Sequence, residues 1–274
     1  MTRDPYRVLV SEIMLQQTQV ERVLAYYEAW MKQFPTAKAL AKAPLATVLR
    51  AWQGLGYNRR AKHLHAAVKE ALSRGLFRTQ NTPRSNLGKT NLVEEWEALP
   101  GVGPYTARAI AAFAYNQNVV FIETNIRTAV IHHFFEQGGT LLKKKRRNTN
   151  GKNTTIYRSI SDKELLMVVA ETLPKGRARE WYGALMDYGA YLKRNGVRLN
   201  ARTKGYQKQS TFAGSRREAR GAILKALVGG PRESAFLVEL MGPSRRAQTR
   251  EALASLTQEG MVQLRGGRFS LPLR

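Results

Sequence analysis

The chain has 274 residues and no cysteine, which is enough for one large domain plus a smaller one and excludes disulfides, thiolate zinc sites and cysteine-ligated iron–sulfur clusters. Forty-five Lys and Arg against 20 Asp and Glu give a net charge of +25 and a pI near 10.7, an imbalance that favours a polyanionic partner, nucleic acid first, over neutral or acidic ones. The opening Met1-Thr2-Arg3-Asp4-Pro5 has no apolar run behind a basic end, and runs such as residues 109–114 are far too short to span a bilayer, so the expectation is an unexported, cytoplasmic, nucleoid-associated monomer with no membrane contact.

Residues 6–15 carry apolar side chains at helical spacing. Thr18-Gln19-Val20-Glu21 has the pattern of a capping box opening the next helix, which leaves Gln16 and Gln17 at a break where two amides project outward. Pro44 stands at a first helical position before a helix over 45–52, Gly54 and Gly56 mark a turn, and Asn58 is placed to cap a helix over 59–72 that is apolar at Ala61, Leu64, Val68 and Ala71. A polar loop over 74–91 precedes a short helix at 93–99, a glycine-containing turn and an apolar helix over 108–115.

Between Glu136 and Asp162 there are seven basic residues and no acidic one. This segment is low in complexity, contains Lys143-Lys144-Lys145-Arg146-Arg147, and is expected to be a disordered basic insert at 138–158. Ser161-Asp162-Lys163-Glu164 is a second capping box, restarting helix through 173, with another helix over 178–192. A linker over 194–213 leads to Ser215-Arg216-Arg217-Glu218, which caps a new helix. The remainder reads helix, helix, helix and a two-strand wing (262–264 and 269–271) around Gly266-Gly267, a small winged-helix-like module at 214–274. From Lys193 onward, 17 basic residues face 5 acidic ones, the composition of a phosphate-tracking surface. His132-His133 are adjacent on a helix and diverge, so no metal is expected there.

The most informative phrase is Leu99-Pro100-Gly101-Val102-Gly103-Pro104-Tyr105-Thr106-Ala107. Its glycines allow a tight turn between two helices, with backbone amides near a helix start aimed at a phosphate. With Glu12 in Ser11-Glu12-Ile13-Met14-Leu15-Gln16-Gln17-Thr18-Gln19-Val20, with Gly54-Leu55-Gly56-Tyr57 and with Arg60-Ala61-Lys62-His63-Leu64-His65, it resembles, in order and spacing, the MutY-type adenine glycosylases of the helix-hairpin-helix superfamily. The resemblance covers roughly residues 4–193. It implies a mainly α, two-lobed glycosylase domain over 1–193, with the hairpin at 99–107; because the chain has no cysteine to hold the family's iron–sulfur cluster, no cofactor is expected.

The implied chemistry is flipping of a mispaired base from double-stranded DNA and hydrolysis of its N-glycosidic bond through an oxocarbenium-like state, which needs a proton donor near the base and negative charge near the sugar. The resemblance assigns catalysis to Glu12, Glu123, Tyr105 and Asn125, and DNA binding to Gln16, Gln17, Tyr57, Gly101, Val102, Gly103, Thr106 and Arg127. On the residues alone, Glu12 reads as a solvated helix carboxylate, Tyr57 as core packing and Glu123 as a helix-start carboxylate favoured by the dipole. Three departures stand out: Glu123 occupies a position where the family has Asp, a Leu-Pro-Trp-Arg stretch before residue 4 is missing, and the four cluster cysteines expected around 193–209 are replaced by basic and polar residues. Adenine opposite 8-oxoguanine or guanine is the expected target. Removal of thymine or uracil opposite guanine, and a catalytically weak damage-binding protein, are the alternatives. Tyr105, where bifunctional relatives have lysine, predicts no strong lyase activity.

Overall fold

The computed structural model describes residues 2–77, 91–137, 143–147, 153–157, 159–200, 203 and 211–272. The chain divides into two compact units, one made of Tyr6–Val102 with Ser210–Arg274, the other of Met1–Pro5 with Gly103–Gln209. The sequence reading drew its boundaries at 193 and 214; in the structure the C-terminal segment shares a unit with the N-terminal helices.

In the first unit, α1 (Pro5–Leu15), α2 (Val20–Gln33), α3 (Ala37–Lys42), α4 (Leu45–Ala51) and α5 (Arg59–Ser73) follow one another, and α6 (Leu92–Glu97) leads to the hairpin. Their apolar faces bury Leu9, Ile13, Met14, Leu40, Leu49 and Leu64, with Trp30 edge-on to Trp52 at 5.4 Å. Tyr6 donates its hydroxyl to the Phe34 carbonyl (2.7 Å), anchoring α1 to the end of α2.

The helix starts differ from the sequence expectations in three places. Gln19, not Thr18, is the cap residue of α2, and no side chain caps it. Thr18 is still finishing the turn after α1, its amide on the Leu15 carbonyl and its hydroxyl on that of Gln16. Asn58 has helical backbone (φ −59°, ψ −19°) and its side chain makes no capping bond, because a capping side chain needs an extended backbone to reach forward. Pro44 sits one position outside α4 as its cap residue.

The C-terminal segment of this unit runs α11 (Arg216–Val228), β3 (Arg232–Glu233), α12 (Ser234–Glu239), α13 (Arg246–Gln258), β4 (Gln263–Arg265) and β5 (Arg268–Ser270). Ser215 caps α11 by accepting from the Glu218 amide, as expected. The strands form an antiparallel sheet in the order β3-β5-β4. Gly266 (φ 53°) and Gly267 (φ 76°) make the two-residue turn between β4 and β5, a left-handed pair that side chains resist. At two residues, β3 is too short to leave a periodic signal.

The end of α13 is fastened to α5. Glu259 accepts from Arg59 (2.6 Å) and from both terminal nitrogens of Arg220 (2.7 and 2.8 Å), and its backbone carbonyl accepts from Lys62. Burial alone would raise the Glu259 carboxyl, but hydrogen bonds from Arg59, Arg220 and Ser255 hold it well below the usual carboxylate range.

The second unit contains α7 (Pro104–Phe113), α8 (Thr124–Val130) with a wider π turn over Ile131–Gln137, β1 (Lys143–Arg147), β2 (Asn153–Tyr157), α9 (Asp162–Thr172) and α10 (Ala178–Arg194). The expected capping box opens α9, with Ser161 and Glu164 bonding each other's backbone amides. Its core gathers Ile110, Ile126, Leu165, Val169 and Tyr182. Within the stretch read as disordered, the described parts pair as antiparallel strands with Lys143 opposite Tyr157 and Arg147 opposite Asn153; Thr154, Thr155 and Ile156 are β-branched and favour that state. The rest of 138–158, most of the 74–91 loop and most of the linker beyond 200 lie outside the described residues.

Candidate functional site

The first unit carries Glu12, both amides and Tyr57. Glu12 is only 7 % exposed on α1, beside the buried Ile13 and Met14, so it is not the solvated helix carboxylate that its residue type alone suggests. A buried carboxyl group on an otherwise apolar stretch of helix marks a position suited to a functional role. One turn on, α1 ends and the chain passes through Gln16, half-buried, and Gln17, exposed with φ +56°. Tyr57 is likewise left-handed, at φ +47°. Non-glycine residues in this conformation are strained and collect at functional sites.

Both bends are held by one residue that sequence reasoning noted only as part of a matching block. Arg60 is buried on α5, and its two terminal nitrogens donate to the carbonyls of Ile13, Met14, Gln16, Leu55 and Gly56 at 2.6–3.2 Å. Those carbonyls belong to the last turn of α1 and the turn before Tyr57, groups that a helix end and a tight turn leave without backbone partners. Burial lowers the Arg60 pKa to about 10, so the guanidinium remains charged at neutral pH. Tyr57 is half-buried rather than part of the core. The Arg60 and Arg217 guanidinium carbons lie 5.5 and 5.0 Å from its ring centroid, and Arg217 donates to its hydroxyl.

The hairpin begins in the same unit. Gly101 has φ +74°, and a Cβ there would lie 2.6 Å from the Cβ of His63, so both backbone angle and space demand glycine. Burial, then the charges of Lys62 and Arg59, lower the His63 pKa, leaving a neutral imidazole against the turn at neutral pH. Val102 is buried and donates its amide to the Leu99 carbonyl (3.1 Å). Gly103 is the extended cap residue of α7 with no capping side chain and Pro104 at the first position. A Cβ on Gly103 would meet nothing; its smallness leaves room at a helix start, where backbone N–H groups and the dipole favour an anion.

In the second unit, Thr106 is buried in the first turn of α7. Tyr105 is half-buried, edge-on to Phe121 at 5.6 Å, and Phe121 stacks on Tyr182 at 4.0 Å. Tyr182 donates to the Val119 carbonyl (2.7 Å), and burial pushes its pKa up to about 12.

Glu123 is the N-cap of α8. Its Oε1 accepts from the amides of Asn125 (2.6 Å) and Ile126 (2.8 Å), and its Oε2 accepts from the Thr124 hydroxyl (3.1 Å). Sequence reasoning did not single out Lys193, near the end of α10. Its ammonium donates to the Thr124 hydroxyl oxygen (2.9 Å) and to Asn125 Oδ1 (2.7 Å). Gly189, one turn earlier, makes this approach possible, since a Cβ there would fall on the Asn125 carbonyl. Burial lowers the Lys193 pKa, and the Glu123 carboxylate acts in the opposite direction. Arg127 is committed to Asp162 at the start of α9, its Nη2 2.9 Å from both carboxylate oxygens, and is largely buried. Its sequence assignment to DNA therefore meets a guanidinium already engaged inside the unit.

Over 193–209 the resemblance implies four thiolates. The chain has none, and the described residues there form a polar lock in which Thr128 donates to Asn200 Oδ1 (3.4 Å) and Thr203 to the Asn200 carbonyl (2.8 Å). An amine, an amide and a hydroxyl do not fit an iron–sulfur cluster.

The sequence matches the family described as "HhH-GPD superfamily base excision DNA repair protein" over residues 10–152. It is 34 % identical to an adenine DNA glycosylase of Mycolicibacterium smegmatis over 97 % of this chain and 87 % of that protein. Identity to an adenine DNA glycosylase of Mycobacterium tuberculosis is 33 %, over 98 % of this chain and 86 % of that protein. Among solved structures, a thermostable thymine-DNA glycosylase shares the fold, with a TM-score of 0.51 and 24 % identity over 73 % of this chain and 83 % of that one. The matched stretch contains the buried Glu12, the strained Gln17 and Tyr57, the Gly101 turn and the Glu123 cap, and identity extends along nearly the whole chain. The chain belongs to the HhH-GPD superfamily of base excision DNA repair proteins.

Proposed function

We propose that the chain is a monofunctional DNA glycosylase that removes adenine mispaired with 8-oxoguanine or guanine, acting as a monomer on nucleoid DNA. The observation that carries this reading is the burial of Glu12 one helical turn before the strained Gln16-Gln17 break, together with relatives named adenine DNA glycosylases over almost the full chain.

In this reading, Gln16, Gln17 and Tyr57 enter the base stack beside the extruded nucleotide. The hairpin over Gly101, Val102 and Gly103, with the Thr106 backbone, holds a phosphate. Glu12 gives its proton to the purine ring, and the C1′–N9 bond breaks with its electron pair leaving on the base. Glu123 supplies the negative charge facing the sugar cation, with Asn125 positioning beside it. Water then adds to C1′ and returns a proton to Glu12, so the product is a free base and an intact abasic site. Tyr105 carries a phenol, which cannot form the imine that strand cleavage requires.

The test is a panel of labelled duplexes with A opposite 8-oxoguanine, A opposite G, T opposite G and U opposite G, treated with alkali after incubation to reveal abasic sites. Release from the adenine mispairs alone is expected. Release of thymine or uracil instead would overturn the base assignment, and no release from any duplex would favour a damage-binding protein.

A further inference from the structure

A cavity of about 410 Å³ opens in the first unit between the Gln16-Gln17 break, Tyr57 and the α11 residues Arg216, Arg217 and Arg220. Five guanidiniums line it and, among the described residues, no carboxylate does. They are not equivalent. Arg60 is committed to five carbonyls, and Arg59 and Arg220 share Glu259. Arg217 rests over the Tyr57 ring and donates to the Tyr57 hydroxyl and to the Thr211 carbonyl. Arg216 is exposed at the cavity wall.

An open cavity walled by like charges carries a positive potential that an anion relieves. The guanidinium fork matches the oxygens of a phosphate in two parallel bonds, and such charge-assisted bonds are stronger than those Arg217 makes to a phenol and a carbonyl. We propose that α11 holds a backbone phosphodiester of DNA in this cavity, with Arg216 and Arg217 as its ligands. On binding, Arg217 exchanges the Tyr57 hydroxyl for a phosphate oxygen, uncovering the tyrosine ring for stacking against a base. The C-terminal segment therefore completes the DNA site next to Gln16, Gln17 and Tyr57. This rests on the proposed function only in taking DNA as the ligand.

The experiment measures affinity against salt for the full chain and for the double variant Arg216→Gln/Arg217→Gln, on matched and mismatched duplexes. The slope of log K against log salt is expected to fall by about 1, the count for one phosphate no longer neutralised, to the same extent on every duplex. A duplex scanned with single uncharged methylphosphonate linkages should show the parent weakened at one or two positions beside the mismatch and the double variant indifferent there. Arg216→Lys/Arg217→Lys, which keeps the charge, should restore most of the slope. An unchanged slope in the Gln variant, a loss confined to one opposing base, or a Lys variant as defective as the Gln variant would each overturn the phosphate assignment. Base release is scored separately: a parent that releases no base yet shows the slope change refutes the proposed activity and leaves this site standing.

Discussion

The Lys193 ammonium lies 2.7 Å from Asn125 Oδ1, which fixes the sense of that amide. A lysine can only donate, so the Asn125 oxygen faces Lys193 and the two N–H donors are what Asn125 offers elsewhere. Through Thr124, whose hydroxyl accepts from Lys193 and donates to Glu123, the same ammonium reaches the carboxylate assigned to the sugar. Lys193→Met is expected to slow single-turnover base release by roughly ten- to a hundredfold with mismatch binding nearly intact, the usual scale for misplacing a reacting group. Because burial lowers the Lys193 pKa, the amine loses its proton at a pH below the ordinary lysine range. The parent rate should therefore fall on the alkaline side, and Lys193→Arg, which stays charged, should extend the plateau upward. A pH–rate profile identical in the parent and the Arg variant would show Lys193 to be packing only.

Glu123 tests whether a longer carboxylate has been accommodated. As the N-cap of α8 it is held by two backbone amides, which is the bland role foreseen from its place at a helix start and is compatible with the catalytic one. Glu123→Gln keeps an acceptor for those amides and removes the charge. It should melt within about 1 kcal/mol of the parent and lose most of its single-turnover rate. Glu123→Asp should cap the helix equally well and react more slowly, since its carboxylate is drawn back by about one C–C bond, on the order of 1.5 Å. An Asp variant faster than the parent would mark the native site as degraded.

Glu12→Gln should abolish base release and leave mismatch affinity within a few-fold, because the amide keeps the shape and lacks the transferable proton. Titration of a labelled duplex alongside single-turnover assays separates the two effects, and full activity in this variant would remove Glu12 from the mechanism.

Gly101→Ala meets two penalties, a left-handed backbone and the His63 Cβ at 2.6 Å. The conformational penalty alone is about 1–2 kcal/mol, so thermal melting should fall by at least several degrees, with binding weakened alike for all duplexes. Gly103→Ala, which has space and an ordinary backbone angle, should melt like the parent while still weakening binding. Equal melting losses in the two variants would contradict this division of roles.

Glu259 makes stability depend on acid. Its folded pKa lies below the unfolded value, so its contribution is full above the unfolded carboxylate range, about 4.3, and is lost as pH falls from there through the folded value. Glu259→Gln should destabilise the parent fold at neutral pH by about 1–3 kcal/mol, since two arginines lose a charged, partly buried partner. Denaturant melts between pH 3 and pH 7 should show a flatter profile for the variant.

The hairpin, the capping box at Ser161, the Ser215 cap and the glycine wing were legible because each follows from local chemistry within a few residues. Thr18 and Asn58 misled for a related reason: a capping pattern gives the residue types but not the backbone conformation, and Thr18 still belongs to the turn after α1 while Asn58 is already helical. Glu12 and Tyr57 were found by resemblance, since neither residue type reveals burial or a positive φ. Arg60, Lys193, Arg217 and Glu259 were missed because most of their partners lie far away in sequence, up to 200 residues. A basic residue among many basic residues gives no sign of which carbonyl, amide or ring the fold will bring to it.

The unit that holds Glu12 and Tyr57 is assembled from Tyr6–Val102 and Ser210–Arg274, with the whole of Gly103–Gln209 between them in the chain. A ribosome adding about 5–20 residues per second therefore releases the first segment on the order of ten seconds before the last arrives. During that interval the Tyr57 ring lacks Arg217, and Arg59 lacks Glu259. The segment of this unit that emerges first thus waits for its partner segment, and a nascent chain halted before α11 exposes an unguarded basic surface in a cell full of RNA.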